Sequence, residues 1–462
     1  MVVSAQWNQK LANIGDWLCR HQQAIRVTQW GIIIFYAVML IVPAFHPLPA
    51  QTAHIWDNVT LFAQFIFWGI WWPGVLVSVI LFGRLWCGLF CPEGALSEMA
   101  SRRGKGKAIP RWIRWPGWPF TAFILTTVYG QMVSVYQYPG PALLILGGST
   151  VAAIAIGYMY GRNHRVWCRY LCPVSGVFGL LAKLSLVHYK VDHQQWNAHA
   201  PMDGRTKQVI CAPMVPLKTM ESASPCHMCG RCAGFRNAIE LQSRSPGSEI
   251  VNTSAKAAHK WDSLLIITGL IGVAVGAFHW ASSPWFITLK QWLATIFVNN
   301  GFLWPLEQTL SWWALTNYPT ENDVLTVLDG IVLLTYITST TLIMSLSVGM
   351  PMLFAARMLK PENIWKVFHH LTHGLIPAAA CGIILGLTAQ TVTLLRAEGL
   401  PLLQINDLRA GLLILSALWS VGLLWKITGQ YRHGTHRVAA ISAATIGVIV
   451  SLSPWLLLFW IW

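Results

Sequence analysis

The sequence predicts an all-α polytopic membrane protein of about nine transmembrane helices, interrupted once by a small polar insert. Of its 462 residues, 55% are hydrophobic and 11% charged, too little polar surface to enclose a soluble globule of that size. Apolar stretches near the ~20 residues that cross a bilayer recur at 27–45, 59–82, 116–135, 143–160, 262–281, 324–349, 371–395, 408–426 and 438–461. The third observation is the placement of the cations.

With the N-terminus inside, all of the 32 Lys and Arg except Lys290, Arg396 and Arg409 fall in inside segments. That asymmetry is what the positive-inside rule requires. It attributes the net charge of +15 to orientation and argues against a nucleic-acid partner. The first span follows Trp7, Trp17 and three cations and has no small-residue cleavage site, which predicts an uncleaved helix. Tryptophans such as Trp112, Trp115, Trp118, Trp261, Trp285, Trp292, Trp312, Trp313, Trp460 and Trp462 stand where spans meet loops, as interfacial anchors in contact with lipid do.

Three parts follow in order. Residues 1–187 form a four-span unit with an internal repeat: Trp86-Cys87-Gly88-Leu89-Phe90-Cys91-Pro92 recurs as Trp167-Cys168-Arg169-Tyr170-Leu171-Cys172-Pro173, 81 positions later. Each copy follows an even-numbered span, is preceded by a Gly-Arg pair (Gly83-Arg84, Gly161-Arg162) and is followed closely by glycine (Gly94, Gly176). A duplicated helical hairpin accounts for this. Residues 188–260 are a polar cytoplasmic insert, and 261–462 a five-span membrane domain of unassigned role. The segment 283–323 is the longest outside, and its tryptophans place it on the membrane surface.

The insert carries Cys226-x-x-Cys229-x-x-Cys232. In ferredoxins, three cysteines at this spacing hold one [4Fe-4S] cluster together with a remote fourth, while a further Cys-Pro serves a second cluster. Here Arg236 and Asn237 stand at those last positions, so the second ferredoxin site is lost. Cys211, the only other cysteine of the insert and closely followed by Pro213, is the candidate remote ligand. One [4Fe-4S] cluster is therefore expected on Cys211, Cys226, Cys229 and Cys232, with Gly230 letting backbone N–H groups approach its sulfides. The alternative is a structural zinc site on the same thiolates, or with His227 replacing one. Gly230 and Ala233, not His, follow Cys229 and Cys232, which excludes covalent c-type haem.

Cys87 and Cys91, like Cys168 and Cys172, are spaced i, i+4, so on one helix both thiols share a face. Pro92 and Pro173 end each helical segment and leave free N–H groups nearby. If the hairpins pack about a pseudo-twofold axis, four sulfurs meet at one depth, enough for a second cluster, with Arg84, Arg162, Arg165 and Arg169 offsetting its charge. Structural thiols, redox dithiols and Cu(I) ligands are the alternatives. Cys19 and Cys381 stand alone and are expected to pack as apolar residues.

His369 and His373 share a helical face beside His370, but no second histidine at similar depth on another span favours b-type haem. His46, His54 and His279 lie near the outer edge, where a quinone head group could be held. Asp262, Asp329 and Asp407 fall near span ends, which argues against an ion pump.

Residues 27–245 resemble the membrane-bound 4Fe-4S polyferredoxin families represented by NapH, NosR and the cytochrome oxidase accessory protein CcoG, which pair two Cys-x-x-x-Cys-Pro helix ends with a ferredoxin segment. A multi-pass protein of the bacterial inner membrane is expected, with the cation placement putting the N-terminus and insert in the cytoplasm and the C-terminus outside. The resemblance implies a quinol-dehydrogenase-like component relaying electrons between the quinone pool, iron-sulfur centres and a partner redox enzyme or electron carrier. It assigns cluster binding to Cys226, Cys229 and Cys232, and a redox role to Cys87, Cys91, Cys168 and Cys172. A copper- or thiol-handling maturation factor and a redox-sensing permease are the alternative functions.

Overall fold

The computed structural model describes residues 5–50, 52–198 and 209–462; of the inside cations counted above, Arg205 and Lys207 lie outside the described residues. The described chain is mostly helical, with two short antiparallel strand pairs. By length and composition, eight helices can cross a membrane: Gln22–Ala44, Val59–Phe82, Pro139–Tyr160, Lys260–His279, Val327–Met358, Ile376–Ala397, Ile405–Tyr431 and Thr435–Ile461. The stretch 116–135, expected as a ninth span, folds as the 15-residue helix Trp118–Met132. At 1.5 Å per residue that is about 22 Å, shorter than the other eight. Pro116 and Pro119 supply no N–H and confine the helix start. Ser134, at φ 49°, stops it at the other end.

The chain divides into two compact units, one of Met1–Met39, Gly74–Pro119 and Gly148–Ala257, the other of Leu40–Pro73, Phe120–Gly147 and Ala258–Trp462. All cysteines of the candidate sites lie in the first.

In the first unit, β1 (Val187–Val191) pairs antiparallel with β2 (Ile239–Ser243), Val187 opposite Ser243 and Val191 opposite Ile239. Alternation puts Tyr189, Val191, Ile239 and Leu241 into one apolar cluster with Leu11, Val215, Met220 and Met228. The amphipathic helix Ala5–Arg20 covers this sheet: a Cβ on Gly15 would lie 3.2 Å from Leu241 Cβ. Glu249, ion-paired with Arg244, accepts the Ala223 amide at 3.0 Å and fixes the chain just ahead of Cys226. Helix Pro92–Arg102 meets the end of Pro139–Tyr160 through small residues: a Cβ on Gly157 would lie 2.4 Å from Ser97 O, and one on Gly161 2.3 Å from Ser101 Cβ. Such spacing lets backbones approach closely.

The second unit also packs through small residues, with Gly272 and Gly276 against Thr341 and Ile337, Gly382 against Trp455 and Gly386 against Phe278. Pro73 has no N–H to offer the carbonyl four residues back; Thr391 Oγ1 donates to that Gly69 carbonyl instead, at 3.0 Å. Helix Val327–Met358 opens with a reciprocal cap between Thr326 and Asp329, and Asp329 also pairs with Lys290. Within 283–323 the helix Pro284–Asn299 buries none of its side chains and exposes Trp285, Ile287 and Trp292.

Candidate iron-sulfur site

The two cysteine motifs share a local fold. In each, a short helix (Leu85–Leu89, Val166–Tyr170) carries the first cysteine. The amide of the second then donates back five residues, Cys91 to Trp86 O at 2.9 Å and Cys172 to Trp167 O at 3.0 Å. This corrects the expectation of two thiols on one helical face: Cys91 is extended (φ −64°, ψ 118°) and caps the next helix, Pro92–Arg102, in which Pro92 holds the first position. Proline is favoured there because its missing N–H has no partner to lose. Cys91 Sγ accepts the Gly94 amide at 3.4 Å.

Each copy reaches into the other. Arg84 and Arg165 stand three residues before the first cysteine of their motifs and are both buried. Arg165 donates from Nη1 to Cys87 O, from Nη2 to Gly88 O at 3.5 Å and from Nε to Glu98 Oε2 at 2.9 Å. Arg84 donates from Nη2 to Ser175 Oγ at 3.1 Å, and Ser175 passes the contact to Cys168 O at 2.8 Å. Each arginine thus holds the first-cysteine carbonyl of the opposite copy, one directly and one through a hydroxyl. The difference follows from the residue three past the second cysteine, which is Gly94 in one copy and Ser175 in the other. A Cβ on Gly94 would lie 3.2 Å from Arg165 Nη1 and 3.6 Å from Cys168 Sγ. The counterpart of Arg84 is therefore Arg165, not the exposed Arg162, whose side chain lies against Gly106. Trp167 Nε1 donates across to Glu93 Oε2 at 3.1 Å.

Sulfurs of both copies share one neighbourhood. Burial pushes the Cys91 thiol well up, helped by Cys168 and Cys87. Cys172 rises likewise from burial and from the fields of Glu93, Cys168, Cys91 and Cys87. Burial takes Cys168 to about 12 against the opposing pull of Arg165.

The insert cysteines form a second neighbourhood. Met228 (φ 54°) and Gly230 (φ 77°) turn the loop through left-handed backbone, and Cys226 Sγ accepts the Met228 amide at 3.4 Å. Gly230 has a second reason to lack a side chain, since a Cβ would lie 2.5 Å from Leu18 Cβ. Gln22, the first residue of the next helix, donates to Cys229 O at 3.0 Å. Cys19, read from the sequence as lone apolar packing, is half-buried beside this loop and donates to Arg231 O at 3.7 Å. Cys211 is tethered by its neighbour, because Ala212 O accepts the Arg165 amide at 2.7 Å. Burial raises Cys226 to about 12 and Cys211 to about 11, with Cys229 adding to both. Burial also raises Cys232, with Cys226, Cys229 and Cys211 adding.

The two neighbourhoods touch at Gly88, where a Cβ would lie 2.0 Å from His227 O and 3.0 Å from Cys229 N. Arg84 faces both Cys168 and Cys226, and Arg165 both Cys168 and Cys229. Glu98, 4% exposed, ties them further by pairing with Arg165, with Arg231 at 2.7 Å and with Arg102 at 3.1 Å. His227 is 1% exposed with neither ring nitrogen hydrogen-bonded among the described residues, and Arg84 Nε is likewise buried without a partner. Among the described residues no three His, Cys, Asp or Glu side chains converge as a single ion would require; a four-iron cluster binds each thiolate at a separate iron. Clustered soft thiols, surrounding guanidiniums and orphaned donors fit an anionic iron-sulfur group. The sequence singled out the cysteines and, of these arginines, Arg84 and Arg165, but not Arg231, Glu98 or Gln22.

The histidines noted from sequence in or near the spans lie in the second unit. His373 Nδ1 meets His369 O at 2.7 Å and its Nε2 meets Asp262 at 3.2 Å, while His369 meets Ser263 and His370 meets Tyr431, both at 2.8 Å. His54 pairs with Glu398 at 3.1 Å, and His279 donates to Pro454 O at 2.9 Å.

Residues 64–111 and 143–191 each match the 4Fe-4S binding domain. Each match contains one Cys-x-x-x-Cys-Pro copy, and Cys211 to Cys232 lie outside both. The chain is 24% identical over 236 residues to YccM of Escherichia coli K12, named as a candidate electron transport protein, covering 44% of this chain and 62% of that protein. It is 24% identical over 187 residues to the regulatory protein NosR of Pseudomonas aeruginosa, covering 35% of this chain and 25% of that one. It is 26% identical over 195 residues to NirI of Paracoccus denitrificans, covering 36% and 27%. The chain thus spans under two thirds of each relative, and no solved structure matches it. Residues 64–111 and 143–191 thus carry a doubled 4Fe-4S binding domain, and part of the chain is similar to membrane-associated electron-transport proteins such as YccM, NosR and NirI.

Proposed function

We propose that the protein is a membrane electron-transfer component that relays electrons between the quinone pool and a partner redox enzyme. One [4Fe-4S] cluster would be held by Cys211, Cys226, Cys229 and Cys232, and a second by Cys87, Cys91, Cys168 and Cys172. The observation that carries this is the contact at Gly88, where the backbone of one cysteine set lies against the backbone of the other. Bound there, iron-sulfur clusters supply reversible one-electron chemistry.

The chain's own residues supply position and charge. Arg84 and Arg165 fix the first-cysteine carbonyls across the repeat, and both offset thiolate charge from two sides. Gln22 and Gly230 seat the insert loop under helix Ala5–Arg20, which shields it from water. Next to Cys91, Glu93 accepts hydrogen bonds from Trp167 and Ser149, and the Tyr36 hydroxyl meets Thr150 at 3.2 Å. These polar atoms, set among apolar helices, offer a quinone head group its hydrogen-bond partners. The cation distribution supports an inner-membrane protein with N-terminus and insert in the cytoplasm and C-terminus outside.

The test is anaerobic purification with iron and acid-labile sulfide analysis and EPR after dithionite reduction. About eight iron per chain is expected for two four-iron clusters, with Cys229→Ala and Cys91→Ala each removing about half. Iron-free protein, or copper binding that depends on Cys87 and Cys172, overturns the proposal, the latter in favour of a copper-handling role.

A further inference from the structure

Of the buried polar groups around the two cysteine sets, His227 is the least accounted for by the polypeptide. Its ring is 1% exposed, and Nδ1 and Nε2 both lack hydrogen-bond partners among the described residues. A buried polar atom left unpaired costs about 1–3 kcal/mol, which an apolar side chain at this position would avoid. The missing partner is not a cation, because Arg84, Arg165, Arg169 and Arg231 all face the ring. Its backbone carbonyl abuts Gly88, so the residue stands where the two cysteine sets meet. Each set already contributes four thiolates, one per iron of a four-iron cluster, and iron needs no ligand from the ring. What such a cluster brings that the polypeptide lacks is sulfur, an acceptor for N–H donors.

Resting on the function proposed above, we propose that His227 donates a ring N–H to a sulfur of an iron-sulfur cluster and thereby raises that cluster's reduction potential. Hydrogen bonds to cluster sulfur are one of the protein's means of setting potential. They withdraw electron density and favour the reduced, more negative state.

The experiment uses the full-length protein purified anaerobically, with EPR-monitored redox titration and iron analysis of wild type, His227→Leu and His227→Gln. Leucine is expected to keep wild-type iron and sulfide but to shift one midpoint to lower potential; glutamine, which retains an N–H donor, is expected to recover most of the shift. An unchanged potential in His227→Leu overturns the proposal, and so does loss of about half the iron, which would make the ring a ligand. Should the leucine variant not fold, pulsed EPR of the reduced wild type with 15N-labelled histidine decides: weak coupling to one histidine nitrogen is expected, and no coupling, or the strong coupling of a direct ligand, overturns it. Wild-type protein without iron defeats the relay and this inference together, whereas intact clusters with no histidine coupling defeat this inference alone.

Discussion

Arg165, three residues before Cys168, is ion-paired at 2.9 Å with Glu98, seven residues after Cys91, and its guanidinium is almost wholly buried. The same carboxylate takes Arg231 from the gap between Cys229 and Cys232. One acidic group therefore joins both repeat copies and the insert loop. Burying it alone would be unfavourable, and burial does oppose its ionisation, yet the fields of Arg165 and Arg231 win and hold it at about 2.

Removing Glu98 is predicted to be much worse than losing an ordinary surface charge. Glu98→Ala leaves Arg165 and Arg231 without their shared partner, and breaking a buried pair this way costs about 3–5 kcal/mol. Thermal unfolding in detergent reads the loss directly. Arg102→Ala, which removes a partly exposed arm of the network, is expected to cost under about 1 kcal/mol. Equal costs for the two would mean that Glu98 is not the joint.

Acid is predicted to weaken the first unit in two windows. Burial, then the Arg244 guanidinium, hold His188 down to about 4 from 6.5, and Glu98 lies at about 2 against 4.5 when exposed. Both folded values are depressed, so below the unfolded values the unfolded chain binds more protons, and stability falls with pH. The histidine contribution is complete above about 6.5 and lost down to about 4; the Glu98 contribution is complete above about 4.5 and lost towards 2. Unfolding midpoints measured against pH for wild type and His188→Phe check this, since the variant should lose the upper slope and keep the lower.

Gly88 is predicted to tolerate no side chain. The nearest atom to a Cβ there is the backbone oxygen of His227, at 2.0 Å, which cannot swing aside as a flexible side chain would. Gly88→Ala is expected to cost about 1–3 kcal/mol and to lower iron retention on the insert cysteines. Gly31→Ala, with nothing within 4 Å of its Cβ, is the control expected to change neither. Iron content and unfolding temperature measured together separate a displaced loop from general instability.

Much of the site could be read from the sequence because its chemistry is local. Cysteine spacing names the metal chemistry, and the repeat is written in Trp, Cys and Pro at fixed offsets. An arginine three residues before each first cysteine was also legible, but the adjacent Gly-Arg pairs made Arg162, not Arg165, the counterpart of Arg84. The helix break at Cys91 follows from Pro92, whose preference for a first helical position competes with its role as a terminator. The partners that join the sites were not legible. Glu98 and Arg231 are 133 residues apart, and nothing local marks either. Composition does not set the length of the helix Trp118–Met132, which its flanking prolines and Ser134 limit.

In the second unit, Pro73 and Thr391 are predicted to be energetically coupled. Proline leaves the Gly69 carbonyl without its helical donor, and Thr391 Oγ1 supplies one at 3.0 Å. Thr391→Val keeps the shape and removes the hydroxyl, stranding an acceptor among apolar helices at a cost of about 1–2 kcal/mol. In a Pro73→Ala background the alanine N–H can reach the same carbonyl, so Thr391→Val should then cost close to nothing. A double-mutant cycle on unfolding free energy measures the difference, expected at about 1 kcal/mol. Additive effects would show that the threonine hydroxyl does not stand in for the donor proline lacks.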